Sequence, residues 1–144
     1  NKEFDYILRA NCGSYLDLPK VLEHIKTLDS SGVYNGITGD VNGIKYCSGS
    51  AFIISKDVVG KIVKNMSKVK RYCHPGFIMD DVSIGEFLAS ENIKISGSAR
   101  RAMLTYNDIE GHNFKEHHYH YYFKHTIDPR CLYAVHEKIA ESAP

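Results

Sequence analysis

Two adjacent carboxylates, Asp80 and Asp81, stand where a segment of helical apolar spacing begins. The free N–H groups of a helix start favour an ionised carboxylate, which suits a general base that takes a proton from a hydroxyl group. The alternative is that the pair only caps the helix, because aspartate is a favoured N-cap residue. The pair alone leaves both interpretations open.

Two further segments place polar or small residues beside predicted strands. Tyr46, Ser48 and Gly49 precede an apolar strand, and small residues there let a ligand approach the backbone closely. Arg9 and Asn11 follow a short buried strand, at the end where α/β sheets usually bind ligands. Either segment is also compatible with an ordinary turn.

Five histidines are concentrated in one stretch near the C-terminal end. A cluster of imidazoles raises the possibility of a transition-metal site, but no carboxylate or cysteine stands at a familiar ligand spacing. The alternative is a polar, aromatic-rich surface strand. The five are His112, His117, His118, His120 and His125.

Composition limits the classes of protein that remain. The 144 residues are 43% apolar and 24% charged, with a formal net charge of +1. Such a chain can form a core, and its charge gives no reason to expect nucleic acid as a partner. No apolar run approaches the roughly 20 residues that span a bilayer.

The segments that must position these residues alternate between strand and helix patterns. Apolar spacing predicts helices near 17–28, 55–66, 81–90 and 130–140, the first two capped by Asp17 and Ser55. Short apolar runs predict strands at 4–8, 50–54 and 93–95, glycine-punctuated strands over 33–45, and a strand over 117–123. The alternation predicts an α/β fold with a mixed sheet.

Taken in order, the segments 9–15, 46–55 and 80–85 resemble the fringe and β-galactosyltransferase-like family of inverting glycosyltransferases. That family has a Lys-x-Asp-Asp-Asp-x-Phe pattern, then Tyr-x-Ser-Gly-x-x-Tyr-x-x-Ser, then an acidic-Asp-Val-x-x-Gly segment. The resemblance covers roughly 4–90, with a weaker similarity to residue 123. It implies a GT-A-like mixed sheet flanked by helices.

The resemblance also implies a function. A nucleotide sugar, typically a uridine diphosphate sugar, would donate a hexose to a hydroxyl group of a glycan or glycoprotein acceptor with inversion. Asp81 would be the catalytic base, and Asp80 would orient it or cap the helix. The residues implied in substrate binding are Arg9, Asn11, Tyr46, Ser48 and Gly49.

Two departures from the family pattern have consequences. The Asp triplet, which holds Mn²⁺ or Mg²⁺ in the family, is replaced by Asn11-Cys12-Gly13, so we expect no divalent ion at this turn. An ion bound nearby is expected to use His118, His120 or His125. The charge of the leaving diphosphate would then be stabilised by Arg9, Lys45 or a histidine.

The second departure is that the family's nucleotide-binding half has no counterpart before the first strand. We therefore expect 1–144 to be a single domain corresponding to the C-terminal part of a GT-A domain, its sheet completed by a further segment or another chain. The alternative functions are a non-catalytic glycan-binding or assembly protein and, less favoured, a histidine-based metalloenzyme. The compartment stays open: the Golgi lumen for a eukaryotic secretory enzyme, or the cytoplasm for a bacterial or viral protein.

Overall fold

A computed structural model describes residues 3–74, 77–97, 101–114, 118–123 and 128–142. The chain forms two compact units. The first unit comprises Asn1–Ala10 and Asp29–Ser98, and the second comprises Asn11–Leu28 and Ala99–Pro144. The single domain expected from the sequence stays a prediction, and each unit is described by itself.

The described residues form nine strands and four α-helices, which confirms the predicted α/β class. The strands are β1 (Tyr6–Ala10), β2 (Ser14–Leu16), β3 (Tyr34–Val41), β4 (Ile44–Ser55), β5 (Cys73–His74), β6 (Phe77–Ile78), β7 (Ser96–Gly97), β8 (Arg101–Met103) and β9 (His120–Tyr122). The helices are α1 (Leu18–Ile25), α2 (Lys56–Lys64), α3 (Asp80–Ser90) and α4 (Pro129–Ser142).

The first unit contains a four-stranded sheet in the order β1-β4-β3-β7. Strand β4 pairs antiparallel with β1 and β3, while β7 runs parallel to β3, so the sheet is mixed as predicted. Strands β3 and β4 form one hairpin, whose turn residues Asn42 and Gly43 have φ angles of 53° and 83°. Positive φ angles at both turn residues give a backbone twist that matches the right-handed twist of the two hairpin strands.

Helices α2 and α3 belong to the first unit and contribute to its core, which includes Tyr34, Cys47, Val58 and Leu88. Both helices lie where the sequence predicted them, but Ser55 does not cap α2 through its side chain. Its hydroxyl instead accepts a 2.9 Å hydrogen bond from the Val33 amide and donates one of 2.5 Å to the Asp57 carboxylate. Ser55 is therefore the N-cap residue of α2 by position, as predicted, but its hydroxyl joins the helix start to the Val33 backbone instead of bonding a helix amide.

Two strands of the first unit lie a few residues further along the chain than the sequence predicts. The first strand is Tyr6–Ala10 rather than 4–8, because its bounds follow its partners on β4, from Ser55 to Ala51. No strand forms at 93–95, where Ile93 and Ile95 pack against the core; the strand falls at Ser96–Gly97. The Asn35 side chain donates a 2.7 Å hydrogen bond to the Ser96 carbonyl beside this pairing.

The second unit has a three-stranded sheet in the order β2-β9-β8. Asp17 caps α1 as predicted, accepting a hydrogen bond of 3.3 Å from the Lys20 amide. Tyr121, Cys131 and Val135 lie at the centre of this unit's core. The strand predicted over 117–123 is confirmed for its central residues, whereas 117 lies outside the described residues. No helix in the described ranges combines the length and apolar character that a membrane crossing needs.

Candidate functional site

Helix α3 carries the two carboxylates at its first two positions, and the N-cap residue before them is Met79, which makes no side-chain cap. Asp81 therefore does not act as a simple N-cap. Its Oδ1 accepts a 3.0 Å hydrogen bond from the Val82 amide, and its Oδ2 accepts one of 2.8 Å from the Gly49 amide on β4. Both carboxylate oxygens are thus held by backbone N–H groups from two different elements.

Arg9, on β1, reaches the same place. Its Nη2 donates to Oδ2 of Asp80 at 3.0 Å, with Arg9 one-third exposed and Asp80 58% exposed. Its guanidinium carbon also lies 5.7 Å from the ring centroid of Phe52, the residue opposite it on β4. Since exposed ion pairs contribute little to stability, this pair matters mainly for where it places charge.

Gly49 lies between the arginine and the carboxylate. A Cβ atom built on Gly49 would overlap Nη1 of Arg9 and would lie 3.0 Å from Oδ2 of Asp81. Only the absence of a side chain at this position lets both groups approach the β4 backbone. The structure thus brings Arg9, Gly49, Asp80 and Asp81 together, from three elements of the first unit.

Tyr46 and Ser48 lie on β4 near this cluster. Burial raises the pKa of the Tyr46 hydroxyl, and the nearby Asp81 and Asp40 carboxylates raise it further. The Tyr46 ring covers Gly39, where an added Cβ would lie 2.8 Å from the hydroxyl oxygen. The Ser48 hydroxyl lies 3.0 Å from that of Ser50, which is buried.

The cluster combines one guanidinium group with two carboxylates. Each Asp81 oxygen accepts a hydrogen bond from one backbone N–H group and keeps lone-pair capacity for a further donor, such as a substrate hydroxyl. Because backbone groups from α3 and β4 hold it, the carboxylate has a fixed direction before any ligand arrives. A fixed, half-buried carboxylate can take a proton from a hydroxyl group placed within hydrogen-bonding distance.

Asn11 belongs to the second unit, where its side chain stabilises its own turn. Its Oδ1 accepts hydrogen bonds from the Gly13 amide at 3.2 Å and the Ser14 hydroxyl at 2.9 Å. The Ser14 oxygen also lies 2.9 Å from Nε2 of buried His120. Because the Ser14 hydroxyl gives its one hydrogen to Asn11, Nε2 of His120 is the donor in this contact.

This arrangement bears on the divalent ion that the family resemblance implies. The Asn11 oxygen already accepts two hydrogen bonds, and the neighbouring Cys12 and Gly13 offer no carboxylate. Hard cations require several oxygen ligands, so these residues do not fit Mn²⁺ or Mg²⁺. Among the described residues, no three His, Cys, Asp or Glu side chains stand together as a metal site.

The histidine cluster is only partly described. His120 is buried and is bound to Ser14, while His118 and His112 have ring centroids 5.9 Å apart. His117 and His125 lie outside the described residues, so the ligand role of His125 stays a prediction. Sequence reasoning missed Ser14 as the partner of His120, because strand pairing of residues over 100 positions apart leaves no local signal.

Two other residues of the first unit were missed. Phe52 was assigned only to a buried strand, yet its ring lies under the Arg9 guanidinium. Gly85 was noted only as part of a motif, yet an added Cβ would lie 2.5 Å from Cβ of Tyr46 and 2.7 Å from the Lys45 carbonyl oxygen. Gly85 therefore lets α3 pack directly on the β4 backbone, and its position four residues after Asp81 was the available signal.

Comparison with models of known protein families and with curated proteins finds no match for this sequence.

Proposed function

We propose that this protein transfers a sugar from a nucleotide-sugar donor, a uridine diphosphate sugar by the family resemblance, to a hydroxyl group of a glycan or glycoprotein acceptor. The proposed reaction inverts the anomeric carbon, and the proposed fold relationship is to the GT-A class. The observation that carries the proposal is the Asp81 carboxylate, held at 2.8 Å by the Gly49 amide. Two segments that the family pattern separates in sequence therefore meet at one point.

In the proposed step, Asp81 accepts the proton of the acceptor hydroxyl as the hydroxyl oxygen attacks the anomeric carbon. The bond from that carbon to the diphosphate oxygen breaks, and the diphosphate leaves with the electron pair. A positioned general base contributes roughly 10²–10⁴-fold to such a reaction. Asp80, paired with Arg9, would accept hydrogen bonds from acceptor hydroxyl groups through its exposed oxygen.

The proposal assigns no metal to this step, because the Asn11 turn does not suit a hard cation. Of the candidate cations, Arg9 lies within the carboxylate cluster, where its charge is offset by Asp80. Lys45 is exposed and forms no ion pair with any described residue.

A non-catalytic glycan-binding protein is the second candidate, and one observation favours it. The Asn11 side chain, which stands where the family binds the donor through a metal, is used to stabilise its own turn. A scaffold that no longer binds a donor there would keep the acceptor pocket and lose transfer.

The test is release of uridine diphosphate from a panel of uridine diphosphate hexoses, with oligosaccharide acceptors, in the presence of EDTA or of MnCl₂. Release by the wild-type chain that Asp81→Asn abolishes would support transfer. Binding of an acceptor without donor binding or diphosphate release would support the glycan-binding candidate. The absence of both donor and acceptor binding would overturn both.

A further inference from the structure

A cavity lies in the first unit, on the face of α3 that carries Gly85 and Ala89. It has a volume of about 440 Å³ and lies between the C-terminal half of this helix and the β3–β4 hairpin. Cavities of about 300–1,000 Å³ are typical of small-molecule sites. Lys45, a candidate from the sequence for stabilising the leaving diphosphate, lines it, whereas the four residues of the carboxylate cluster do not, so the cavity is separate from that cluster.

The local sequence explains why this space is open. Gly85 and Ala89 are four residues apart on one helix face and are too small to fill the space beside the hairpin. After α3, Asn92 adopts a left-handed conformation with φ 60°, and the Ile93 amide donates a 2.9 Å hydrogen bond to the Leu88 carbonyl. This turn reverses the chain, so that 93–95 forms the remaining wall.

The lining combines an apolar surface with two cations. Ile93 and Ile95 are half-buried and pack against the core of the first unit, so they give the cavity a fixed apolar wall. Lys45 and Lys94 also line it, and no acidic residue is among the described residues that do so. In the described part of the chain, neither lysine forms an ion pair.

We propose that this cavity binds a small organic anion, with an apolar body against Ile93 and Ile95 and a phosphate or carboxylate group bound by Lys45 and Lys94. The apolar wall accounts for the body, because burying it removes apolar surface from water. Lys45 and Lys94 account for the anion, because neither forms an ion pair with a described residue and no lining residue is acidic. Asp40 lies opposite Lys45 on β3, but it is not part of the lining, and its Oδ1 accepts a hydrogen bond from the Gly43 amide. This site goes beyond the proposed transfer and does not depend on it.

Phenyl phosphate is a suitable probe, since it has an aromatic ring and a dianionic group and is smaller than the cavity. Calorimetric titration of the wild-type chain should give saturable binding with a Kd of about 1 mM or lower, as expected for a ligand of this size. Phenol and inorganic phosphate, which each carry one half of the probe, should bind at least about tenfold more weakly. If phenol or inorganic phosphate bound as tightly as phenyl phosphate, the proposal that the site has one apolar and one anion-binding part would be wrong.

Two variants locate the binding. Lys45→Ala combined with Lys94→Ala should weaken phenyl phosphate binding at least about tenfold, and Ala89→Phe should abolish it by filling the cavity from an exposed helix position. The matched control is Lys61→Ala with Lys64→Ala on α2, which removes two exposed lysines elsewhere and should change nothing. Circular dichroism confirms that each variant is folded.

The proposal is overturned if the wild-type chain shows no saturable binding up to 10 mM phenyl phosphate (roughly tenfold above the expected Kd), or if both cavity variants bind as the wild type does. Neither result would bear on the release of uridine diphosphate, which is measured without this probe. Conversely, a chain without transferase activity can still bind phenyl phosphate in this cavity.

Discussion

The Gly49 amide and Oδ2 of Asp81 lie 2.8 Å apart, although the two residues are 32 positions apart in the chain. With the Val82 amide on Oδ1, this bond means that both Asp81 oxygens face N–H donors. An asparagine at this position can present an oxygen to only one of these donors. Its NH₂ group would face the other.

Asp81→Asn is therefore expected to lower turnover and, modestly, stability. Loss of a general base should reduce transfer at least ~10²-fold. The mismatched donor pair should lower the free energy of unfolding by about 1 kcal/mol. Diphosphate release and chemical denaturation measure the two effects separately.

Asp80→Asn is the matched control, because it keeps an oxygen that can accept from Arg9 and should cost less activity than Asp81→Asn. If Asp81→Asn keeps full turnover and only destabilises the chain, the carboxylate is structural and the base assignment is wrong.

Gly49→Ala is expected to disturb the cluster without unfolding it. The new Cβ would displace the end of the Arg9 side chain, which is flexible, and press on Asp81. Because a misplacement of about 1 Å at a catalytic group can cost 10²-fold, transfer should fall by about ten- to a hundredfold. The free energy of unfolding should change by less than about 1 kcal/mol, since exposed ion pairs contribute little.

A double-mutant cycle with Arg9→Ala checks the mechanism of this effect. If displacement of Arg9 is the cause, Gly49→Ala should cost much less activity when Arg9 is already absent. An unchanged cost in that background would place the cause at Asp81 instead.

Gly85→Ala is expected to destabilise the first unit. Its Cβ would lie 2.7 Å from the Lys45 carbonyl oxygen and 2.8 Å from Cα of Tyr46, and backbone atoms cannot move aside as a side chain can. Overpacking of this kind costs roughly 1–3 kcal/mol. Chemical denaturation measures the change.

Gly60→Ala on α2 is the matched helix-glycine control. Nothing lies within 4 Å of an added Cβ there, and the position is exposed. Alanine should raise the free energy of unfolding by roughly 0.5–1 kcal/mol, because glycine loses more backbone freedom in a helix. If Gly60→Ala and Gly85→Ala changed the free energy of unfolding in the same direction, the contact of α3 with β4 would not explain the effect at Gly85.

Asp57 is expected to make stability depend on pH. Burial alone would raise its pKa, but hydrogen bonds from Ser55, Gly32 and Val58 outweigh burial, and the net pKa is lowered. The unfolded state then binds the proton more readily, so the stabilisation is present above the unfolded pKa of about 3.9. It is lost as the pH falls through the lower, folded pKa.

Asp57→Asn should accordingly lower the melting temperature at pH 7. The difference from the wild type should shrink as the pH falls below about 3.9, where the wild-type carboxylate also becomes protonated. Thermal melts at several pH values make the comparison. A difference that is the same at every pH would mean that the charge of Asp57 is unimportant.

Periodic patterns predicted the elements well and their tertiary partners poorly. The helix at Asp80 and the Asp17 cap follow from residues close in sequence, and both are as predicted. The hydrogen bond of Asp81 to Gly49 depends on how α3 packs on β4, and the position of Phe52 under Arg9 depends on the register of β1 against β4. No local pattern encodes either relationship. The Ser55 hydroxyl likewise accepts from the Val33 amide, 22 positions away, instead of bonding a helix amide, and the local sequence does not reveal this partner.

Among the cysteines whose burial the structure describes, each compact unit has one that is deeply buried, Cys47 in the first and Cys131 in the second. Burial raises the pKa of the Cys47 thiol to about 12 and raises that of Cys131 as well, so neither forms a reactive thiolate while its unit is closed. In a variant that carries Cys12→Ser and Cys73→Ser, the rate at which each buried thiol is alkylated measures how often its unit opens. Equal labelling rates at the two thiols would mean that the units open together, and unequal rates would mean that one opens while the other stays closed.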